Sequence, residues 1–109
     1  MNQIVLVGRI AKIDAGYDKS ERKVIIVLAI SRPYKNSEGV YETDFIPVKL
    51  LGSIAENTLT YTNKGDVVGV KGRVQTTNEL NEDNGYTYSK TEIVAEKVTF
   101  LSSKRADES

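Results

Sequence analysis

A chain can do only the chemistry its side chains allow, and here the choice is narrow. None of the 109 residues is histidine or cysteine, which removes imidazole acid–base catalysis, thiol nucleophiles, disulfides and the usual nitrogen- and sulfur-ligated metal sites. Carboxylates remain, but Glu42 with Asp44 reads as a solvated strand end and Glu82 with Asp83 as a turn, not as two acids facing across a cleft. The run Gly65-Asp66-Val67-Val68-Gly69-Val70-Lys71 imitates a phosphate loop. Its second glycine comes one residue early and no Gly-Lys-Ser/Thr follows, so it reads as the start of a strand. Binding chemistry is what is left. Tyr34 stands beside Arg32 and Lys35 in a polar stretch where no core should reach. Phe45 shares a strand face with Thr43, Pro47 and Lys49, a mixed face better suited to contact than to burial. No catalytic residue, metal ligand or cofactor is expected, and the protein is read as a non-enzyme.

These residues need elements to carry them. Residues 3–13 alternate as a strand, with Ile4, Leu6, Gly8 and Ile10 on one face and Val5, Val7, Arg9, Ala11 and Ile13 on the other, and Gly8 is expected to bend it. After a turn-rich segment over 14–22, residues 23–32 form a second strand with apolar residues on both faces, as if covered on two sides. The PYKNSEG stretch over 33–39 reads as a hairpin connection in which Pro33 ends the strand. A third strand starts near Val40 and places Ile46, Val48 and Leu50 opposite Phe45, with Pro47 marking an edge or a bulge. A short helix follows. Ser53 and Glu56 have capping-box spacing, Gly65 marks the far end, and Ile54, Ala55, Thr58, Leu59, Tyr61 and Thr62 form one stripe. Val68, Val70, Gly72 and Val74 then alternate in a fourth strand, residues 78–85 form an acidic hairpin tip, and residues 86–101 supply a fifth strand. Tyr61 and Phe100 are expected in the core.

Five strands with one helix between the third and fourth is the order of the OB-fold, a Greek-key barrel that binds oligonucleotides or sugars, with an SH3-like barrel as the competitor. The length suits one all-β domain over 1–101 with a short, disordered polar tail over 102–109. The N-terminus opens into a strand pattern with no signal peptide or membrane span, so a cytoplasmic protein is expected. Formal charge is zero, yet residues 1–41 hold seven basic and four acidic side chains while residues 78–109 hold four and seven. Such asymmetry permits a basic face on a neutral protein.

Several motifs in order carry a family resemblance: residues 4–10 (IVLVGRI), 29–36 (AISRPYKN), 42–48 (ETDFIPV), 55–57 (AEN), 68–76 (VGVKGRVQT) and 91–95 (TEIVA). Together they resemble the bacterial single-stranded DNA-binding protein family over about residues 1–101. The resemblance implies an OB-fold that coats single-stranded DNA without sequence preference in replication, recombination or repair, by ring stacking and phosphate contacts. It also implies a homo-oligomer, a tetramer or else a dimer, paired through Ile4, Val5, Leu6 and Val7 of the first strand.

By position, Tyr34 and Phe45 fall where the family has stacking aromatics, and Tyr88 joins them as a third. Tyr17, Tyr41 and Tyr86 fit either platforms or amphipathic covers. Arg9, Lys12, Arg32, Lys35, Lys49, Lys71 and Arg73 are the expected phosphate contacts. Two family aromatic positions are instead Leu51 and, in the last hairpin, a site at or near Glu79. There Glu79, Glu82 and Asp83 would repel phosphate. The last residues, Lys104 to Ser109, lack the acidic, apolar tip by which family members recruit enzymes, so that role is not expected. A protein–protein adaptor on the same fold, with weak or lost DNA binding, is the alternative reading.

Overall fold

A computed structural model of the chain describes residues 1–15 and 22–102. Most of the expected 14–22 turn, with Tyr17, and all but Ser102 of the expected tail lie outside the described residues. The elements run β1 (Ile4–Asp14), β2 (Lys23–Lys35), β3 (Tyr41–Leu51), α1 (Gly52–Tyr61), β4 (Val67–Leu80) and β5 (Thr87–Phe100). The strands close into a barrel in the order β1-β2-β3-β5-β4. Closure rests on a single parallel pairing, Lys49 with Val94, while every other ladder is antiparallel. Pro47 pairs with Val27 in an unbroken stretch of the β2–β3 ladder, so it marks no bulge, and on its other side β3 meets β5 only at Lys49.

The period-two pattern builds the core. Ile10, Val24, Ile26, Leu28, Val48, Leu50, Val68 and Val70 face inward, joined by Ala55 from the helix and Ala95 from β5. On β2, Val24, Ile26 and Leu28 are buried, whereas Ile25, Val27 and Ala29 are half-buried on the outside. The second apolar face of β2 is thus the floor of an outer surface.

β1 corrects one expectation. Its ladder with β4 runs unbroken through Gly8, and the irregularity lies between Ile10 and Lys12 in the pairing with β2. One extra residue, Ala11, bulges there and reverses the alternation. Ile13 consequently packs against the core instead of facing out, and Lys12 is exposed instead of facing in. Asn2, just before β1, closes the neighbouring edge: its side-chain amide donates to the Val74 carbonyl at 2.5 Å and accepts from the Val74 N–H at 2.9 Å. An amide side chain here imitates one further residue of the ladder.

The helix starts and stops differently from the sequence reading. It begins at Gly52, which has φ +62°, and no side chain caps it. Gly52 N–H instead donates to the Arg22 carbonyl (3.1 Å), and Glu56 pairs with the Arg22 guanidinium (2.7 Å) instead of reaching back to Ser53. At the other end the helix stops at Tyr61, short of Gly65, with Thr62 Oγ1 donating to the Thr58 carbonyl. Gly65 belongs to the following turn, where its N–H bonds the Ile10 carbonyl at 2.8 Å. Of the apolar stripe only Ala55, Thr58 and Thr62 are buried. Leu59 and Tyr61 are exposed, and Phe100 with them. Tyr61 is the last helical residue, and its ring lies over the outside of β5, packing on Phe100 with centroids 6.1 Å apart.

Two hairpins extend past the barrel. β2 continues through Pro33 to Lys35, and β4 continues to Leu80, so both turns are shorter than expected. Between Ala95 and Lys97, within its core stretch, β5 carries a bulge opposite Lys71 and Gly72. Gly72 is indispensable at that point: a Cβ there would overlap the backbone carbonyl of Val94. Among the described residues, no helix is long and apolar enough to cross a membrane.

Candidate nucleic-acid interface

Ladder partners define a surface on the outside of β1, β2 and β3. Arg9 pairs with Ala29, and Ala29 with Phe45. Lys12 pairs with Val27, and Val27 with Pro47. Two lateral rows result, each with a cation on β1 and a small or β-branched residue on β2, ending on β3 in the aromatic ring of Phe45 or the apolar ring of Pro47. Strands lie about 4.8 Å apart, so the β1 and β3 backbones in a row are about 10 Å apart across an apolar floor. A third row, Asp14, Ile25 and Lys49, continues the floor into a groove of about 100 Å³ formed with Lys90, Thr91, Glu92 and Ile93 of β5. The Ala11 bulge brings Lys12 into this array. Were Ala11 paired in plain alternation, Lys12 would face the core.

The rings are available. Phe45 is 64% exposed, Tyr34 62% and Tyr41 55%. Tyr41 and Phe45 are four residues apart on one strand and share its outer face. From sequence alone Tyr41 fits either platform or cover, although its parity with Phe45 is a usable signal. Lys35 holds its ammonium 5.7 Å from the Tyr41 ring centroid. Tyr88, 49% exposed, lies apart from these on the β4–β5 arm, where its hydroxyl donates to Glu79 at 3.1 Å. That hydrogen bond, with the nearby negative charge, raises the Tyr88 phenol above its ordinary value, because ionisation would set two anions together.

The cations divide by their partners. Arg9 donates to the Gly65 carbonyl at 2.7 Å, and it, Lys12, Lys35 and Lys71 have no carboxylate partner among the described residues. Lys49 is engaged with Glu92 at 3.1 Å, and Arg73 with Glu96 at 3.4 Å and Gln75 at 3.1 Å. Glu92 also accepts from Gln75, and the two hydrogen bonds hold its carboxyl below the ordinary carboxylate value. Arg32 is the most fully engaged. It forks onto Asp44 at 2.9 and 3.0 Å and meets Glu42 at 2.6 Å. The forked bond raises the guanidinium and lowers Asp44 below the ordinary carboxylate value.

The expected N-terminal contact face splits in two. Val5 and Val7 are exposed, 64% and 54%, whereas Leu6 packs against the core and Ile4 is half-buried. Alternation along β1 sends the two pairs to opposite sides. The outer pair lies with Gly69, Lys71, Lys97, Thr99 and Leu101 on the β1–β4–β5 face, away from Phe45. Lys71 thus belongs to this face and stands directly opposite Lys97. Leu51 is exposed at the β3–α1 junction.

A five-stranded closed barrel with its helix between the third and fourth strands, bearing rings and cations on its outer β1–β2–β3 surface, is an OB-fold. The Plasmodium falciparum SSB, solved in a complex with ssDNA, superposes with a TM-score of 0.74 at 22% identity, covering 94% of this chain and 96% of that one. The single-strand binding protein family model matches residues 1–101, and the chain belongs to that family. Among curated relatives, single-stranded DNA-binding protein B of Bacillus subtilis is 40% identical over 105 residues, covering 94% of this chain and 92% of that protein. Single-stranded DNA-binding protein 3 of Listeria innocua is 44% identical over 108 residues, covering 96% of this chain but only 66% of its own length. The chain therefore spans about two thirds of that relative.

Proposed function

We propose that the protein binds and coats single-stranded DNA without sequence preference, as a non-enzymatic, cytoplasmic participant in replication, recombination or repair. The observation that carries this reading is the pair of rows Arg9–Ala29–Phe45 and Lys12–Val27–Pro47. The first offers an aromatic ring and a cation, the second a cation and the apolar face of a proline, over a floor with no hydrogen-bonding side chain to read one base against another. Phe45, Tyr34 and Tyr41 supply the rings, and Arg9, Lys12 and Lys35 the charge. Tyr88 and Lys71 are secondary, because each lies away from the rows. Arg32, Lys49 and Arg73 already face carboxylates. The names of the relatives support the same reading.

Self-association accompanies it. Exposed Val5, Val7 and Leu101 form an apolar patch suited to a second copy. A tetramer or dimer would place several barrels on one strand and raise the effective concentration of each further site. Titration of a fluorescent oligo-dT across salt tests binding. The expected affinity falls with a log–log slope of about −0.7 per phosphate neutralised. A salt-independent affinity, or none at low salt, would refute the reading. Light scattering at micromolar concentration tests the oligomer, which a single-chain mass would exclude.

A further inference from the structure

Arg32 stands beside Tyr34 and was expected to meet phosphate, yet its guanidinium is spent on the protein. The ladder between β2 and β3 is regular up to Ser31–Thr43 and resumes only at Lys35–Tyr41. Between those points β2 has three residues, Arg32, Pro33 and Tyr34, where β3 has only Glu42. Tyr34 therefore sits on an excess loop without a ladder partner of its own. What anchors this loop is a chain of side-chain bonds. Asp44 takes both the Nε and Nη2 donors of Arg32, Glu42 takes Nη1, and the second oxygen of Glu42 accepts from the Asn36 amide at 3.0 Å. Asn36 in turn accepts from the backbone N–H groups of Glu38 and Val40 at 2.9 and 3.0 Å, closing the turn. Alternation along β3 places Glu42 and Asp44 on the face of Ile46 and Val48, opposite Phe45 and Tyr41. The network is thus behind Phe45 and Tyr41, while Tyr34 alternates to the side of Arg32 itself.

We infer that Arg32 is a positioning residue: with Asp44 and Glu42 it clamps the β2–β3 hairpin and holds the Tyr34 ring ready to stack, without touching DNA. The inference rests on the single-strand reading above. A planar, bidentate fork fixes direction in a way a lysine ammonium does not, which is why arginine suits the task.

Oligo-dT titrations of Arg32→Ala, Tyr34→Ala, the double variant and Asp44→Asn, each across salt, test it. Tyr34→Ala should weaken binding about five- to 150-fold, the range for one stacked base. Arg32→Ala should lose no more than that, and adding it to Tyr34→Ala should cost less than about twofold further, because coupled sites are not additive. The salt slope should be unchanged. Asp44→Asn leaves the arginine in place and keeps the side-chain shape, so it serves even if Arg32→Ala folds poorly. A clamp predicts weaker binding in Asp44→Asn, whereas an arginine that contacts phosphate would be released and bind more tightly. Tighter or unchanged binding in Asp44→Asn, a slope reduced by about 0.7 in Arg32→Ala, or losses that multiply in the double variant would each overturn the inference alone. Absence of binding by the unaltered chain would remove the function reading, and this inference with it.

Discussion

Phe45→Ala separates the binding surface from the barrel that carries it. The ring is 64% exposed, so only about one third of its area is shielded in the free protein. With about 200 Å² for an aromatic side chain, some 70 Å² of burial is lost, and at about 25 cal/mol per Å² the cost to folding is about 1.8 kcal/mol or less. A core truncation such as Leu28→Ala, at a fully buried position, costs about 2–5 kcal/mol. Binding should suffer more than folding. Loss of one base–aromatic stack is worth about 1–3 kcal/mol, or about five- to 150-fold in affinity. Phe45→Leu retains apolar bulk and removes the π-face, so it should bind as poorly as Phe45→Ala while melting closer to the unaltered protein. Fluorescence anisotropy with labelled oligo-dT, paired with thermal melts, provides both numbers. If Phe45→Leu binds like the unaltered protein, the contact is merely apolar and stacking at Phe45 is refuted.

Lys12→Gln should lower the magnitude of the log–log salt slope by about 0.7, whereas Lys49→Gln, whose cation already faces Glu92, should leave it unchanged in the same titrations. Gly72→Ala should destabilise by about 1–3 kcal/mol or more in urea melts, because the new methyl meets the Val94 backbone and not a movable side chain. Acid should weaken the fold through Asp44 and Glu92, whose ordinary values are 3.8 and 4.5 and which both lie lower in the folded protein. Groups lowered by folding stabilise fully above their unfolded values and lose that contribution as pH falls through the folded ones. The melting temperature should therefore hold down to about pH 4.5 and fall below it, and Glu92→Gln should flatten part of that fall.

The barrel was legible because its core strands alternate without interruption. Val24, Ile26 and Leu28, then Val48 and Leu50, then Val68 and Val70, all face inward as period two requires. The helix ends were less legible. Ser53 and Glu56 have capping spacing, but Arg22, distant in sequence, supplies both the acceptor for Gly52 and the partner for Glu56. Tyr61 obeys the helical stripe, yet it falls at the last turn and lies over the outside of β5 with Phe100, not inside the barrel. At the candidate interface, sequence placed Phe45 and Lys12 among the binding residues. It could not say which cations were already matched, because the partners of Arg32, Lys49 and Arg73 are set by strand register and not by neighbours along the chain. Aromatic exposure at Tyr34 followed from local polarity, whereas the excess loop that carries it appears only when β2 and β3 are aligned.

The bulge at Ala11 sets the phase of everything that follows it in β1. Ala11 is the one residue of the stretch without a partner on β2, while Ile10, Lys12 and Ile13 meet Leu28, Val27 and Ile26 in succession. Deleting Ala11 would therefore leave plain alternation, with Ile10 inward, Lys12 outward and Ile13 inward as they are now. Deleting Lys12 instead would leave Ala11 to take its place opposite Val27 and remove a cation from the binding face. A one-residue gap in this strand thus has opposite consequences at neighbouring positions: at Ala11 it spares both core and surface, and one step later it strips the surface of its charge.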